Sequence, residues 1–306
     1  MHRLLGLRKM HVSEEVVSFG EATSLVGILT CPSESQSTVR SPAVILVNVG
    51  IMHRVGPNRL YVKVARRLAR LGFPVLRFDL SGLGDSPARK DHVPAPQSHV
   101  GETQEAMSQV SMSTGVQDFV LTGICSGANL SYEVACCDDR VVGAALINPR
   151  YHLHDPGGKI DSYLRHRAFI RHYLRMAFFS SFSAKIWSSI VTGQLRRQSA
   201  TRALRGFAPS GLLCRSRVTA AAANQAEAEL RALARRGVRI LHIYSEGDEG
   251  LDYLRTVLGV RTEGFEADGL IDIEVIPGTN HTFALLASQE HVLNSISRWV
   301  RKAQWD

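Results

Sequence analysis

Phe119-Val-Leu-Thr-Gly-Ile-Cys125-Ser-Gly-Ala-Asn-Leu130 is the stretch on which the fold reading turns. Residues 119–124 form a short apolar run with β-branched members, the pattern of a buried strand. A helix-compatible run follows at once, to about Ala135. The junction, Gly123-Ile124-Cys125-Ser126-Gly127, is a G-x-nucleophile-x-G motif in its meaningful context, where a strand becomes a helix. The two glycines permit a tight turn that lifts residue 125 above the sheet edge. A helix N-terminus under a thiol favours its thiolate, and the amide of Ser126 would point into an oxyanion site. The plain alternative is a small cysteine buried between turn glycines.

Working outward, strands and helices alternate. Val12–Phe19 and Ser24–Leu29 read as an antiparallel hairpin, and Ala43–Val49 as a buried strand. A helix follows Pro57, with Leu60, Val64, Leu68 and Leu71 on one face and Gly72 ending it. Then come a strand (Pro74–Leu80), a glycine-rich turn (Ser81–Ser86), a helix around Gly101–Ser113, the strand and helix about Cys125, and a strand at Val141–Ile147. Alternation stops between about 150 and 215. It resumes with a helix (Thr219–Arg235), a strand (Arg239–Tyr244), a short helix (Gly250–Leu258), a strand (Ile271–Ile276) and a helix (His281–Lys302). Such alternation predicts right-handed crossovers and a mainly parallel eight-stranded sheet with helices on both faces. Residues 1–150 and 216–306 would form the core, with 151–215 a helical cap inserted after the sixth strand.

Asp248, in Tyr244-Ser-Glu-Gly-Asp248, and His281, in Pro277-Gly-Thr-Asn-His281, each follow a strand. With Cys125 they stand in the chain order nucleophile, acid, histidine. Glu246 is the alternative acid, whereas His242, midway along a strand, reads as a core or sheet-surface residue. The loop after Ala43–Val49 should supply a second oxyanion donor, the amide of Ile51. It continues through His53, Arg54 and Arg59, which either meet a substrate phosphate or carboxylate or simply fix the loop. Arg77, Asp79, Gly82, Gly84 and Asp85 read as a turn that holds the sheet edge.

The 306 residues carry 44% hydrophobic residues, enough for a large core, and no apolar run long enough to span a membrane. The basic N-terminal segment has no apolar stretch of secretory-signal length, so a cytoplasmic location is expected. The five cysteines, Cys31, Cys125, Cys136, Cys137 and Cys214, make neither a disulfide framework nor a zinc pattern, and no metal or other cofactor is implied. The net charge of +8 is localised: Lys159 to Arg205 holds ten Lys and Arg against Asp161, so that segment carries +9 and the remainder −1. Within it Arg167, Arg171 and Arg175 form a helical stripe beside Phe169, Tyr173 and Met176. The stripe is either a solvated face or a surface for an acidic partner. No nucleic-acid motif accompanies it.

Gly50…His53-Arg-Val-Gly56…Arg59, Val75-Leu-Arg-Phe-Asp79-Leu-Ser-Gly-Leu-Gly84-Asp-Ser86, the elbow, Asp248 and His281 together resemble the α/β-hydrolase superfamily over roughly residues 24–303. Within it the chain looks most like exosortase-associated hydrolases and the α/β-hydrolase-like acyltransferases of natural-product (nonribosomal peptide and polyketide) pathways. The resemblance implies Cys125 as nucleophile, Ser126 as oxyanion amide, Asp248 as acid and His281 as base. Most members carry Ser where this chain has Cys. The expected activity is acyl transfer through an acyl-Cys intermediate, from an acyl or aminoacyl thioester on a carrier protein or coenzyme A. Arg167 and Arg171, with the loop residues, would meet that phosphate-bearing donor. Hydrolysis of a thioester, ester or lactone is the alternative, and a non-catalytic binding protein a remote one.

Overall fold

The structure, a computed structural model, describes residues 11–20, 24–33, 39–91, 93, 95–149, 224–258, 261–302 and 305. Its centre is an eight-stranded sheet, formed by β1 (Val12–Phe19), β2 (Leu25–Pro32), β3 (Ala43–Val47), β4 (Val75–Asp79), β5 (Phe119–Ile124), β6 (Val141–Ile147), β7 (Arg239–Ser245) and β8 (Ile271–Ile276). The strand order is β1-β2-β4-β3-β5-β6-β7-β8. β1 and β2 pair antiparallel, as do β2 and β4, and every other pairing is parallel. All residues of β3 and β5 are buried, because helices cover both faces of a parallel sheet.

Side-chain alternation along the strands divides the core in two. On one face Ile45, Val47, Leu76, Phe78 and Leu121 pack with Met107 and Val110 of α2 (Ala95–Thr114) and Leu130 and Val134 of α3 (Ser126–Cys137). Leu230 and Leu233 of α4 (224–235) and Leu254 of α5 (Glu249–Leu258) extend that layer. On the other face Val44, Leu46, Val75 and Val120 meet Leu60, Val64 and Leu68 of α1 (Leu60–Ala69). The last helix, the seventh in this numbering, covers the same face with Val292, Leu293, Ile296 and Trp299. Each such aliphatic side chain contributes about 1.5–3 kcal/mol on burial, so the periodicity that reveals the helices also holds them down. A short helix α6 (Arg261–Ala267) lies before β8 and was not expected from the sequence. Among the described residues no helix is long and apolar enough to cross a membrane.

Some boundaries move. The second strand runs on to Pro32, and the α2 helix begins at Ala95, ahead of Gly101. The final helix, α7, spans Leu286–Lys302 and so begins five residues after His281. Phe283, fully buried, has φ 52, and its amide donates to the Asn280 carbonyl at 3.1 Å, while the Asn280 side chain accepts from the Ala284 amide at 3.0 Å. A left-handed residue cannot continue an α-helix, so His281 sits in a turn. The expected cap, with Arg167 and Arg171, lies outside the described residues.

Helix α3 enters directly beneath the β3 end. A methyl placed on Gly127 would run into the backbone oxygens of Asn48 and Val47. Gly127→Ala is therefore expected to destabilise the protein by at least about 1–3 kcal/mol. A urea midpoint unchanged from wild type would show that this approach is not under steric constraint.

Candidate active site

The site lies where β3, β5, β6, β7 and β8 end. Cys125 has φ 55 and ψ −113, a conformation that costs an L-residue of order 1–3 kcal/mol and persists only where its surroundings impose it. They do so here. Its amide donates to the Ile147 carbonyl at 2.8 Å, and its carbonyl accepts from the amides of Ala128 and Asn129, each at 3.1 Å. Gly123 and Gly127 touch backbone to backbone beneath it, where no Cβ would fit. The half-buried thiol stands at the N-terminus of α3, whose dipole favours negative charge.

The Asp248 and His281 side chains meet across the edge of the sheet: Nδ1 of His281 lies 2.6 Å from Oδ2 of Asp248. The Cys125 side chain also acts on this ring, and Nε2 is the nitrogen left free of Asp248. Asp248 is buried, and its second oxygen accepts from the Gly250 amide at 2.8 Å, capping α5. The Asp248 hydrogen bond, and after it the bond to Cys125, pushes the His281 pKa up to about 9 against the opposing effect of burial. Glu246, the alternative acid, is exposed and accepts from the Gly278 amide at 2.8 Å, away from the His281–Asp248 bond. His242 is wholly buried, stacked on Tyr244 with centroids 6.0 Å apart, and burial lowers its pKa to about 3.

Three supporting residues escaped the sequence reading. Asn148 follows β6 with φ 47 and no exposed surface. Its amide nitrogen donates to the His281 carbonyl at 2.9 Å, and its oxygen accepts from the Ser245 amide at 2.8 Å. Asn48 follows β3 in the same manner: it donates to the Met52 carbonyl at 2.8 Å and accepts from the Leu80 amide at 2.8 Å. Tyr61, buried in α1, donates to the Val47 carbonyl at 2.8 Å and accepts from the Ile124 amide at 3.0 Å. Burial raises its pKa, so the phenol stays protonated. An asparagine directly after an apolar strand, as in Ile147-Asn148 and Val47-Asn48, is the signal that would have marked two of them.

Near the elbow, Ser126 Oγ accepts from the Gly50 amide at 2.7 Å, and Ile51, at the tip of the same loop, is 89% exposed. Of the loop cations expected to meet a substrate anion, Arg54 is otherwise engaged. It is buried, its amide donates to Asp79 Oδ1 at 2.6 Å, and its guanidinium pairs with Asp79 Oδ2 and, at 2.6 Å, with Asp85. Burying Asp79 requires a counter-charge, and Arg54 supplies it. These bonds tie Arg54 to the turn of Asp79 and Asp85, the loop-fixing arrangement of the two expected from the sequence. His53 stands at the rim of this pair, 3.4 Å from Asp85. Its Nδ1 accepts from the Val55 amide at 3.3 Å. His53, Asp79 and Asp85 lie within metal-ligand range of one another, but both Asp79 oxygens already accept hydrogen bonds, Oδ2 from the Arg54 guanidinium and Oδ1 from the Arg54 amide and Asn48. Arg59 is exposed with φ 61, next to Asn58, whose side chain donates to the Thr282 carbonyl at 3.2 Å beside His281. The turn of Asp79, Gly84 and Asp85 is structural, as expected: the Asp85 amide donates to Asp79 at 3.1 Å, and a Cβ on Gly84 would strike the Asp79 carboxylate.

A family model described as serine aminopeptidase, S33, matches residues 43–208, a span that includes Cys125 and ends before Asp248 and His281. No curated protein matches the chain. Solved structures do. A proline iminopeptidase from Mycobacterium smegmatis has 17% identity and TM-score 0.54 over 95% of this chain and 98% of its own. A Pyrococcus furiosus esterase has 10% identity and TM-score 0.54 over 95% and 92%. An α/β serine hydrolase without lid, from Xanthomonas campestris, has 15% identity and TM-score 0.52 over 98% and 99%. At these identities the likeness is one of fold.

Removing one partner of the Arg54–Asp79 pair leaves a buried charge uncompensated. Arg54→Leu is expected to lose about 3–5 kcal/mol in urea denaturation. An unshifted midpoint would mean that Asp79 does not depend on Arg54.

Proposed function

The chain belongs to the α/β-hydrolase family described as serine aminopeptidase, S33, and from that membership we propose a cysteine-dependent acyl hydrolase acting on a thioester or ester. The observation that carries the proposal is the His281–Asp248 hydrogen bond with Cys125 beside the ring at a strained strand–helix turn. The thiolate of Cys125 attacks the substrate carbonyl carbon, forming the S–C bond while the carbonyl electron pair moves to oxygen. The amides of Ser126 and Ile51 hold that oxyanion. Collapse expels the leaving group, which takes the proton from the His281 imidazolium. Acylation consumes the thiolate and with it the second cause of the raised His281 pKa. The imidazole, left unprotonated once the leaving group has taken its proton, then takes a proton from the water that attacks the acyl-Cys. Collapse of the second intermediate returns the acid and the thiolate–imidazolium pair.

The cysteine itself favours a second reading, transfer to an acceptor other than water. An acyl-Cys is a thioester, nearly balanced in energy with a pantetheine thioester and more reactive toward thiols and amines than an oxygen ester. A carrier protein or coenzyme A as donor belongs to this reading, and the exposed Arg59, next to Asn58, is a cation that could meet its phosphate.

Intact mass after incubation with acyl and aminoacyl thioesters tests both. A mass gain absent from Cys125→Ala supports the acyl-Cys intermediate. Loss of the label to water supports the hydrolase, whereas passage to a thiol-bearing carrier supports the transferase. If wild type never gains mass with any donor, the proposed chemistry fails.

The proton on His281 sets the pH dependence. Turnover that needs the imidazolium should fall as pH rises through about 9. Asp248→Asn removes the first cause of the shift, so the alkaline limb should move toward neutral pH and kcat should fall at least about tenfold. Because the folded pKa lies above the ordinary 6.5, the associated stabilisation is complete below pH 6.5 and is lost as pH rises toward 9. The urea midpoints of wild type and His281→Gln should converge across that window, and a constant gap would count against the pairing.

A further inference from the structure

The end of β3 and the end of β5 are tied together at two heights. At the buried level the Tyr61 hydroxyl bridges the Val47 carbonyl and the Ile124 amide. At the exposed level Ser126 Oγ accepts from the Gly50 amide at 2.7 Å. The loop above β3 has little else to locate its tip. Gly50 has φ 52, with no heavy atom within 4 Å of where a Cβ would stand, and Ile51 is 89% exposed. The base of the loop is closed by the Met52 amide donating to the Val49 carbonyl at 2.9 Å, and by Asn48 donating to the Met52 carbonyl at 2.8 Å. A loop tip without packing contacts is placed by its hydrogen bonds, and the bond to Gly50 comes from the residue next to the nucleophile.

We infer that the Ser126 side chain is a positioning residue: its hydroxyl latches Gly50 and so sets the Ile51 amide relative to the Ser126 amide. The inference rests on the proposal that these two amides hold the oxyanion. Oxyanion donors act through sub-ångström placement, and losing one outright costs about 10²–10³ in rate. A donor left on an unlatched loop retains part of that effect. Because the Ser126 side chain is exposed, truncating it opens no core cavity.

Two reagents separate positioning from general damage. An activated ester such as p-nitrophenyl acetate acylates Cys125 through a carbonyl oxyanion, releasing p-nitrophenol. Iodoacetamide alkylates the same thiolate by direct displacement of iodide, and no oxyanion forms. Both rates are followed by intact mass for wild type, Ser126→Ala and Ser126→Thr, with Cys125→Ala as the blank because Cys136 and Cys137 are also exposed. Ser126→Ala should acylate roughly 10- to 100-fold more slowly yet alkylate at the wild-type rate. Ser126→Thr, which keeps the oxygen, should recover most of the acylation. Acylation of Ser126→Ala at the wild-type rate, equal slowing with both reagents, or no recovery with Thr would overturn the latch. Wild type that alkylates but never acylates at Cys125 would overturn the oxyanion reading beneath it.

Discussion

How closely helix α3 comes in beneath strands β3 and β5 governs the arrangement around Cys125. Gly127 lies against the carbonyls of Val47 and Asn48, and Gly123 lies against Gly127 itself. With no side chain at either position, the chain reverses direction within one residue, and that residue is forced into a left-handed conformation. The same approach brings the first amides of α3 beside the loop that follows β3. The Cys125 turn, the helix N-terminus beneath it and the neighbouring loop amides are thus consequences of one steric condition. They would be lost together if the helix stood off by the width of a methyl group.

Around this approach, buried polar groups are satisfied in pairs and chains. Asp79 receives Arg54, Asn48 and the Asp85 amide, and Asn148 joins the His281 backbone to the end of β7. Such bonds add modestly to net stability but cost heavily when broken, so they fix geometry more than they raise stability. The loops above the sheet edge are tied down by these bonds together with a few buried apolar anchors such as Phe283.

Much of this could be read from residue order. The β5–α3 junction, the alternation of buried strands and amphipathic helices, and the order Cys125, Asp248, His281 all follow from local pattern and period. What escaped was decided by distant partners. Arg54 looks like any loop cation until Asp79, 25 residues on, is seen to be fully buried beneath it. Tyr61 reads as one more apolar position of α1, because its hydroxyl partners belong to two other strands. The start of α7 was misplaced because Phe283 takes a left-handed conformation that nothing in its sequence neighbourhood announces. The cap, with Arg167 and Arg171, lies outside the described residues.

The order of the strands also has a consequence for timing. Cys125 directly follows the central β5, whereas His281 follows β8, the edge strand and the last of the described strands. A chain emerging from the ribosome displays the thiol more than 150 residues before His281 is made. Until β8 has joined the sheet and the His281 turn has settled against Asn148, Cys125 lacks the imidazole beside it. The pairing of thiol and imidazole is therefore completed only at the close of folding.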